Sequence, residues 1–308
     1  MNLDRLRCLR ALAIHGSVTS AAAVLHMTPS GVSQQLNKLE REVGHELIER
    51  RGRGVELTDA GQRLAKHAES VLSLVEEVSS DMEQFGASVA GTVRLASFAT
   101  AARGLVPGAL AALRGEHPDL RVELAEVEPP DALRMLGAGE LDVAVVQDWV
   151  GAPLVIPATL GRIHLVDDVV DLAVSVDHPL ASATIVDLDE VLNEPWIAWQ
   201  HGSMCTDWLI GALRAQGSDP DVVHAVGEHP TQLALIAAGL GVGVIPRLGR
   251  GPTPEGVRFV PTRPALTREI YGVWRRSAEG RPSTAAVVDA LRGAAGRVCA
   301  GNGRVTAS

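Results

Sequence analysis

Residues 28–40, TPSGVSQQLNKLE, place short hydroxyl and amide side chains along one side of a predicted helix. Gln and Asn amides can pair with adenine edges, Ser hydroxyls with bases or phosphates, and Lys and Arg with phosphates. The opposite side repeats Val32, Leu36 and Leu39 at the spacing of a helix that packs on a core. The pattern therefore predicts a nucleic-acid contact through a face formed by Ser30, Ser33, Gln34, Asn37, Lys38 and Arg41.

A basic hairpin is predicted shortly after this helix. Leu47/Ile48 and Val55/Leu57 flank a glycine-containing tip, the pattern of two short strands joined by a tight turn. Arginines on such a tip can hold a DNA backbone or enter a minor groove. A solvated polar helix is the alternative interpretation of the first stretch, but it does not explain why a basic hairpin follows. The arginines of the tip are Arg50, Arg51 and Arg53.

The segments before the polar helix favour a helix-turn-helix. Apolar residues recur at helical spacing over residues 3–14, and Gly16 ends that first helix. SAAAVLHM supplies a short second helix whose alanines permit close approach of another backbone. Thr28 then caps the third helix, with Pro29 at the first position, where its missing N–H costs nothing. A packing helix followed by two helices and a tight turn forms a helix-turn-helix.

A long amphipathic helix is predicted from about residue 59 to residue 85. Its apolar residues are spaced alternately by four and three, a heptad pattern that continues for about three repeats. Because the small head cannot cover so long a seam, we expect a partner helix from a second copy of the chain. Packing on the chain's own C-terminal domain is the alternative. The predicted seam consists of Leu64, Ala68, Val71, Val75, Val78, Met82 and Phe85.

The charge distribution separates this head from the rest of the chain. The net charge of the 308 residues is −9, which by itself disfavours a polyanion partner. Residues 1–66, however, carry ten Lys/Arg and seven Asp/Glu, whereas the other 242 residues carry 18 and 30. A mildly basic head on an acidic body is consistent with nucleic-acid contact by the head alone.

Composition and cysteine usage indicate a cytoplasmic protein. No apolar run reaches the roughly 18 residues that a membrane span needs, and the amphipathic N-terminus does not resemble a signal peptide. The cysteines Cys8, Cys205 and Cys299 are odd in number and far apart. They therefore predict neither a disulfide framework nor a metal cluster.

Beyond a small-residue linker at 86–91, strands and helices alternate, which predicts an α/β domain after the helical head and so an α+β chain overall. A final helix is expected at 284–291, and the glycine-rich tail from Gly296 is expected to be flexible. The predicted strands are TVRLASF, LRVELAEV, LDVAVV, DVVDLAVSV, PWIAW, VGVIP and REIYGVWR.

The α/β part shows no pattern that predicts catalysis. It contains no nucleophile elbow, phosphate-binding loop or paired-carboxylate spacing. GLGVG at 239–243 follows a helix and precedes a strand, which is the reverse of a dinucleotide-binding loop. His224, Glu228 and His229 lack a fourth ligand, which favours a surface or pocket role over a metal site. We therefore expect no enzyme activity, no metal and no cofactor.

The chain resembles the LysR-type transcriptional regulators nearly end to end, over about residues 1–292. Leu9, Val18 and Ile48 stand where the family usually has Phe. The segments that carry the resemblance are GSVTSAA (16–22), TPSGVSQQLNKLE (28–40), LIERRGR (47–53), LTDAG (57–61), GELDVAVV (139–146), DHPLA (177–181) and AAGLGVGVIP (237–246).

The resemblance implies a winged helix-turn-helix, a linker helix that dimerises, and an effector domain of two α/β lobes similar to periplasmic binding proteins. Hinge strands near 165–168 and 264–268 would join the lobes, and tetramers built as dimers of dimers are common in the family. The implied boundaries are 1–58 for the head, 59–90 for the linker helix, 91–295 for the effector domain (lobe I about 91–164 and 268–295, lobe II about 165–267) and 296–308 for the tail.

Carried over position by position, the resemblance assigns DNA contacts to Thr28, Pro29, Ser33, Gln34 and Arg53. Many family members have Arg where Gln34 stands, so the base that Gln34 prefers is left open. Cys205 is offset by one residue from the reactive cysteine of peroxide-sensing members, and Leu213 stands where a resolving cysteine would be. Redox sensing is therefore not expected.

The resemblance also places a small-molecule effector between the lobes. The loop after the first strand precedes a helix, so its free amides and hydroxyls would suit a carboxylate or another small anion. Polar loop caps without a ligand are the alternative. The expected lining is Ser97, Phe98, Ala99, Thr100, Gln147, Gln200, His201, Gly202, Ser203, His229 and Thr231.

We therefore predict a sequence-specific DNA-binding transcriptional regulator whose activity is modulated by an effector bound between two lobes. The expected partners are a promoter inverted repeat in double-stranded DNA, the effector and further copies of the chain, with RNA polymerase as an additional candidate. The alternative is a cytoplasmic small-molecule-binding protein with a vestigial head.

Overall fold

The computed structural model describes residues 2–52, 54–84 and 89–302. Its N-terminal head packs three helices and a two-stranded hairpin around a core whose most buried side chains include Leu9, Leu36 and Leu39. The elements of the head are α1 (Leu3–His15), α2 (Val18–Val24), α3 (Pro29–Val43), β1 (Ile48–Arg51) and β2 (Gly54–Leu57).

Local signals set both ends of α3. The Thr28 hydroxyl accepts the N–H of Gly31 at 3.1 Å, and Pro29 occupies the first turn. The helix ends at Gly44, which adopts a left-handed φ of 72° that an L side chain would strain. Near that end, the Glu40 carboxylate accepts the N–H groups of residues 47 and 48 at 2.8 and 3.2 Å. The same helix therefore fixes where the hairpin begins.

Helix α4 (Asp59–Gln84) joins the head to the C-terminal domain. Its first half packs into the head core through Ala68 and Leu72. Its second half contacts the C-terminal domain, where the Ser277 hydroxyl donates to Glu76 at 2.6 Å. One side of α4 is therefore covered by the chain itself.

We expect Gly61→Ala to lower the free energy of unfolding of the head by about 1–3 kcal/mol, the usual cost of overpacking. A Cβ on Gly61 would overlap the backbone carbonyl of Leu47, which cannot rotate away as a side chain could. Urea denaturation followed by circular dichroism measures the change. Gly115→Ala in α6 (Val106–Glu116) is the matched control, because its Cβ would meet nothing within 4 Å. Equal midpoints for the two variants would contradict the close contact.

The C-terminal domain alternates strands and helices. Its helices are α5 (Ala99–Gly104), α6 (Val106–Glu116), α7 (Pro129–Ala138), α8 (Met204–Arg214), α9 (His229–Ala237) and α10 (Pro282–Asn302). Its strands are β3 (Gly91–Ser97), β4 (Leu120–Glu126), β5 (Val143–Trp149), β6 (Leu160–Ser175), β7 (Val186–Asp187), β8 (Pro195–Ala198), β9 (Asp221–Ala225), β10 (Gly243–Pro246), β11 (Val257–Val260), β12 (Thr262–Arg263) and β13 (Leu266–Arg275).

One large sheet runs through the domain in the order β10-β6-β13-β5-β3-β4, with β11 also pairing with β6. The long strands β6 and β13 pair antiparallel from Leu266↔Val170 to Arg275↔Leu160. Strands β3 to β5 and helices α5 to α7 and α10 pack on one end of this pair and form lobe I. Strands β8 to β11 with α8 and α9 pack on the other end and form lobe II.

Two boundaries differ from the sequence prediction. Strand β6 begins at Leu160, whereas DVVDLAVSV begins at Asp168, because the earlier residues pair with β13 far along the chain. Helix α10 continues to Asn302, past Gly296, where the sequence predicts that a flexible tail begins. The buried side chains of Ala294 and Ala295 pack on the core of lobe I and extend the helix past the predicted end. Residues 303–308 lie outside the described part of the chain.

Candidate nucleic-acid interface and effector cleft

The outer side of α3 carries the residues predicted to contact DNA. Ser33 is half-buried, and its hydroxyl donates to the Pro29 carbonyl at 3.0 Å. Gln35, in contrast, accepts a hydrogen bond from Arg5 at 3.4 Å within the head, so the neighbouring glutamines differ. The exposed residues on this side are Thr28, Pro29, Ser30, Gln34, Asn37, Lys38 and Arg41.

The first strand of the hairpin carries two of the predicted arginines into solvent. Arg50 and Arg51 are both exposed. Arg51 forms an ion pair with Glu56 across the hairpin at 2.5 Å, whereas Arg50 forms no ion pair with any residue that the structure describes. Arg53, the third predicted contact, lies outside the described residues.

The residues of the predicted α4 seam lie in two different environments. Leu64 and Ala68 pack against the head's own core rather than facing away from it. Phe85 lies outside the described residues, and Val75 is half-buried. An exposed apolar row remains on the other side of the helix and includes a leucine that the heptad pattern did not select. This row is formed by Val71, Leu74, Val78 and Met82.

A cavity of about 110 Å³ lies between the two lobes. Lobe I contributes the start of α5, the residue before α7 and the end of β5. Lobe II contributes the segment after β8 and the start of α9, and β13 contributes an arginine from the hinge. The lining residues are Phe98, Ala99, Thr100, Glu128, Gln147, Trp199, Gln200, Ser203, Cys205, Gly227, His229 and Arg268.

The structure brings most of the predicted effector residues to this cavity and leaves four outside it. Ser97 is fully buried below it, where its hydroxyl donates to the Phe98 carbonyl at 3.2 Å. His201, Gly202 and Thr231 are exposed and do not line the cavity. The lining residues that were predicted are Phe98, Ala99, Thr100, Gln147, Gln200, Ser203 and His229.

Arg268 is the centre of the hydrogen-bond network at the floor of the cavity. The side chain is 2% exposed and donates to Asp168 on β6 at 2.9 and 2.7 Å. It also donates to the Thr100 hydroxyl at 2.7 Å and to the Gln147 amide oxygen. The Phe98 and Trp149 rings lie 5.2 and 5.3 Å from the guanidinium carbon. One arginine therefore ties both hinge strands to the wall of lobe I.

Sequence reasoning did not select five of the lining residues. A charged residue within the apolar strand REIYGVWR is a usable signal for Arg268, because a buried charge needs partners. The double proline after Glu128 is a second signal, since it marks a helix start at the carboxyl end of a strand. Trp199, Cys205 and Gly227 carry no comparable local signal.

Cys205 lines the cavity as a protonated thiol. Burial raises the pKa of this thiol to about 11, although the nearby Arg268 charge opposes the shift. The Gln147 amide donates to the sulfur at 3.2 Å. Because the thiolate is the reactive form, this environment disfavours nucleophilic or redox chemistry at neutral pH. Leu213 is fully buried in the core of lobe II.

His229 lines the lobe II side of the cavity as a neutral imidazole. Burial, together with the charges of Arg103 and Arg268, lowers the pKa of His229 to about 4. Arg103 lies 3.4 Å from Nδ1, and Nε2 is buried without a hydrogen-bond partner among the described residues. The ring therefore adds no positive charge to the cavity at pH 7.

A second buried arginine network connects lobe I to α4. Arg275 at the end of β13 donates to the Glu76 carboxylate at 2.6 Å and to Asp142 at 3.3 Å. It also donates to two carbonyls of lobe I, those of Leu136 and Leu141. The head touches the same lobe through α1, since Arg10 donates to the Ala138 carbonyl at 2.7 Å. The orientation of head and linker helix is thus tied to lobe I.

Within the described ranges, one group of side chains has metal-ligand proximity, His164, Asp167 and Glu269 on the exposed face of the hinge strands. Their polar atoms already bond to each other or to Tyr271, at 2.7 and 2.5 Å. In the same ranges, no helix is both long enough and apolar enough to cross a bilayer.

Two protein-family models match the chain. "Bacterial regulatory helix-turn-helix protein, lysR family" matches residues 3–62, and "LysR substrate binding domain" matches residues 86–296. The chain belongs to the LysR family. This LysR-family chain is a DNA-binding transcriptional regulator with an effector-binding domain and not an enzyme. Regulators of the family bind DNA and small-molecule effectors and form oligomers.

Individual LysR-family relatives are similar over most of the chain. The transcriptional activator IlvY of Salmonella typhimurium is 28% identical, over 84% of this chain and 86% of its own length. The dual regulator OxyR of Escherichia coli is 28% identical, over 95% of both chains. A full-length OxyR variant from Pseudomonas aeruginosa has a TM-score of 0.72 at 21% identity, covers 95% of both chains, and so shows the same fold.

Proposed function

We propose that α3 and the hairpin bind an inverted repeat in promoter DNA, and that an effector in the 110 Å³ cavity changes this binding. The observation that carries the proposal is that both lobes and the hinge strand β13 line one cavity. A ligand there would contact all three, and its affinity would depend on how the lobes are arranged. A ligand shifts such an equilibrium only by its differential affinity for the two arrangements.

The exposed apolar row of α4 supports a dimer. Val71, Leu74, Val78 and Met82 are between 39% and 60% exposed, and this spacing suits a second copy of the same helix. Two copies would present two α3 helices to the two half-sites of an inverted repeat. Pairing of dimers would give the tetramer, and RNA polymerase bound beside the promoter is the further candidate partner.

A DNA partner places the protein in the bacterial cytoplasm. Cys8, Cys205 and Cys299 are all free thiols in the structure, which suits that reducing compartment.

A gel-shift assay on the promoter of the adjacent, divergently read gene tests the proposal. The expected result is a shift at low salt that weakens as salt rises, because phosphate contacts release counterions. Sedimentation establishes the oligomeric state in the same buffer. A confirmed dimer that fails to shift the promoter fragment at low salt would overturn the proposal.

We expect Gln34→Ala to reduce base discrimination by about 1–3 kcal/mol at the base pair that Gln34 contacts. The Gln34 amide is exposed on α3 and forms no hydrogen bond with any described residue. Competition gel shifts with single-base variants of the operator measure the loss. Gln216→Ala, at an exposed position after α8, is the control. Equal weakening on every sequence would instead assign Gln34 to the DNA backbone.

A further inference from the structure

Glu128 places an unpaired carboxylate at the cavity between the lobes. It is the residue before α7 and remains open to solvent at the mouth of the cavity. Pro129 and Pro130 at the first two helical positions have no N–H, and the Glu128 carboxylate makes no capping hydrogen bond to its own helix. No described residue donates a hydrogen bond to it or forms an ion pair with it. This carboxylate is therefore available to a ligand.

The other charges near the cavity do not neutralise Glu128. Arg268 points its donors at Asp168, Gln147 and Thr100, and the Asp168 carboxylate balances its charge. His229 is neutral, as described above. Desolvation raises the pKa of Glu128, the charges of Glu126 and Asp131 add to this effect, and the charge of Arg268 opposes it. Because Arg268 is bonded to Asp168, Gln147 and Thr100, Glu128 forms no direct ion pair with a cation among the described residues.

The remaining walls suit a small cation. The Trp199 ring and the Phe98 ring both line the cavity, and aromatic faces attract ammonium groups. The space of about 110 Å³ has room for about four water molecules at liquid density.

A simple anion, which the sequence analysis favoured, would meet the unbalanced charge of Glu128. Arg268 is the one cation among the lining residues that the structure describes, and Asp168 already pairs with it. Arg103 contacts His229 but does not line the cavity.

We propose that the effector carries a small ammonium group that binds the Glu128 carboxylate beside the Trp199 ring. This rests on the proposed function, which makes the cavity the effector site. Plain amines and amino acids both carry an ammonium group. Matched probes from each class distinguish these two kinds of effector.

Isothermal titration of the full-length protein with n-propylamine, β-alanine, propionate and n-propanol tests the proposal. The amine, the amino acid or both should bind, and propionate and propanol should not. Glu128→Gln should weaken the binding probe at least tenfold, because a charge-assisted contact is lost. Glu126→Gln removes the same charge from the neighbouring strand β4, outside the cavity lining, and should change affinity less than twofold.

Three outcomes would overturn the proposal: binding of propionate alone, equal affinities of the wild-type and Glu128→Gln proteins for the amine, or no binding of any probe. Binding of propionate alone would leave the cavity as an effector site for an anion, so the proposed function would survive. The promoter gel shift tests DNA binding independently of the titration. A negative gel shift would therefore contradict the proposed DNA binding and not the ammonium contact.

Discussion

Replacing Arg268 by methionine should lower the free energy of unfolding by about 3–5 kcal/mol, the cost of breaking a buried ion pair from one side. The substitution would leave the Asp168 carboxylate, 1% exposed, without its guanidinium partner. It would also remove a donor from Thr100 and from Gln147. Urea denaturation followed by tryptophan fluorescence measures the loss, since Trp149 lies against the same guanidinium.

The double variant Arg268→Met/Asp168→Asn is the matched control. It removes the uncompensated charge, so it should be more stable than the sum of the two single changes predicts. The difference is a coupling free energy between residues in direct contact. Strict additivity, or a loss below about 1 kcal/mol as at an exposed pair, would contradict the role of Arg268 at the hinge.

Replacing Arg275 by methionine should cost a similar amount, about 3–5 kcal/mol. Arg275 is 7% exposed, and its removal takes a charged donor from Glu76, from Asp142 and from two lobe I carbonyls. Ser277 still donates to Glu76, and Arg94 still pairs with Asp142. Glu76 is the anchor of α4, so the contact between linker helix and lobe should loosen as well. Thermal unfolding measures the stability, and protease cleavage near residue 84 reports the loosening.

Arg292→Met removes an exposed arginine that pairs with Asp289 three residues away on α10. Because exposed ion pairs contribute about 0–1 kcal/mol, this control should be nearly silent. Equal losses for the Arg275 and Arg292 variants would show that burial of Arg275 adds nothing.

The sequence predicts the elements whose causes are local. Thr28, Pro29 and Gly44 define α3 within a few residues of the chain, and the structure gives the helix those same ends. The polar outer face of that helix follows from the same short pattern. The tip of the hairpin is likewise visible from arginines and glycines alone.

The elements that sequence reasoning missed depend on partners far along the chain. Arg268 bonds to Thr100 and Asp168 across 168 and 100 positions, and no short window shows that it is buried. Leu64 and Ala68 belong to the predicted α4 seam but pack on the head core, because a heptad pattern states which residues are apolar but not which surface covers them. Glu128 matters only because no described residue pairs with it, a property of the folded chain.

Arg268 and Arg275 are seven residue steps apart on β13, a length of about 23 Å at about 3.3 Å per residue. The strand is paired on both edges, with β5 and β6, and a buried guanidinium anchors each end. If one end of β13 moved without the other, a buried ion pair would break at a cost of about 3–5 kcal/mol. That cost exceeds the coupling free energy of about 1–3 kcal/mol that is typical between two binding sites. Both ends should therefore move together, and by thermodynamic reciprocity the DNA sequence bound by the head should tune the affinity for the effector.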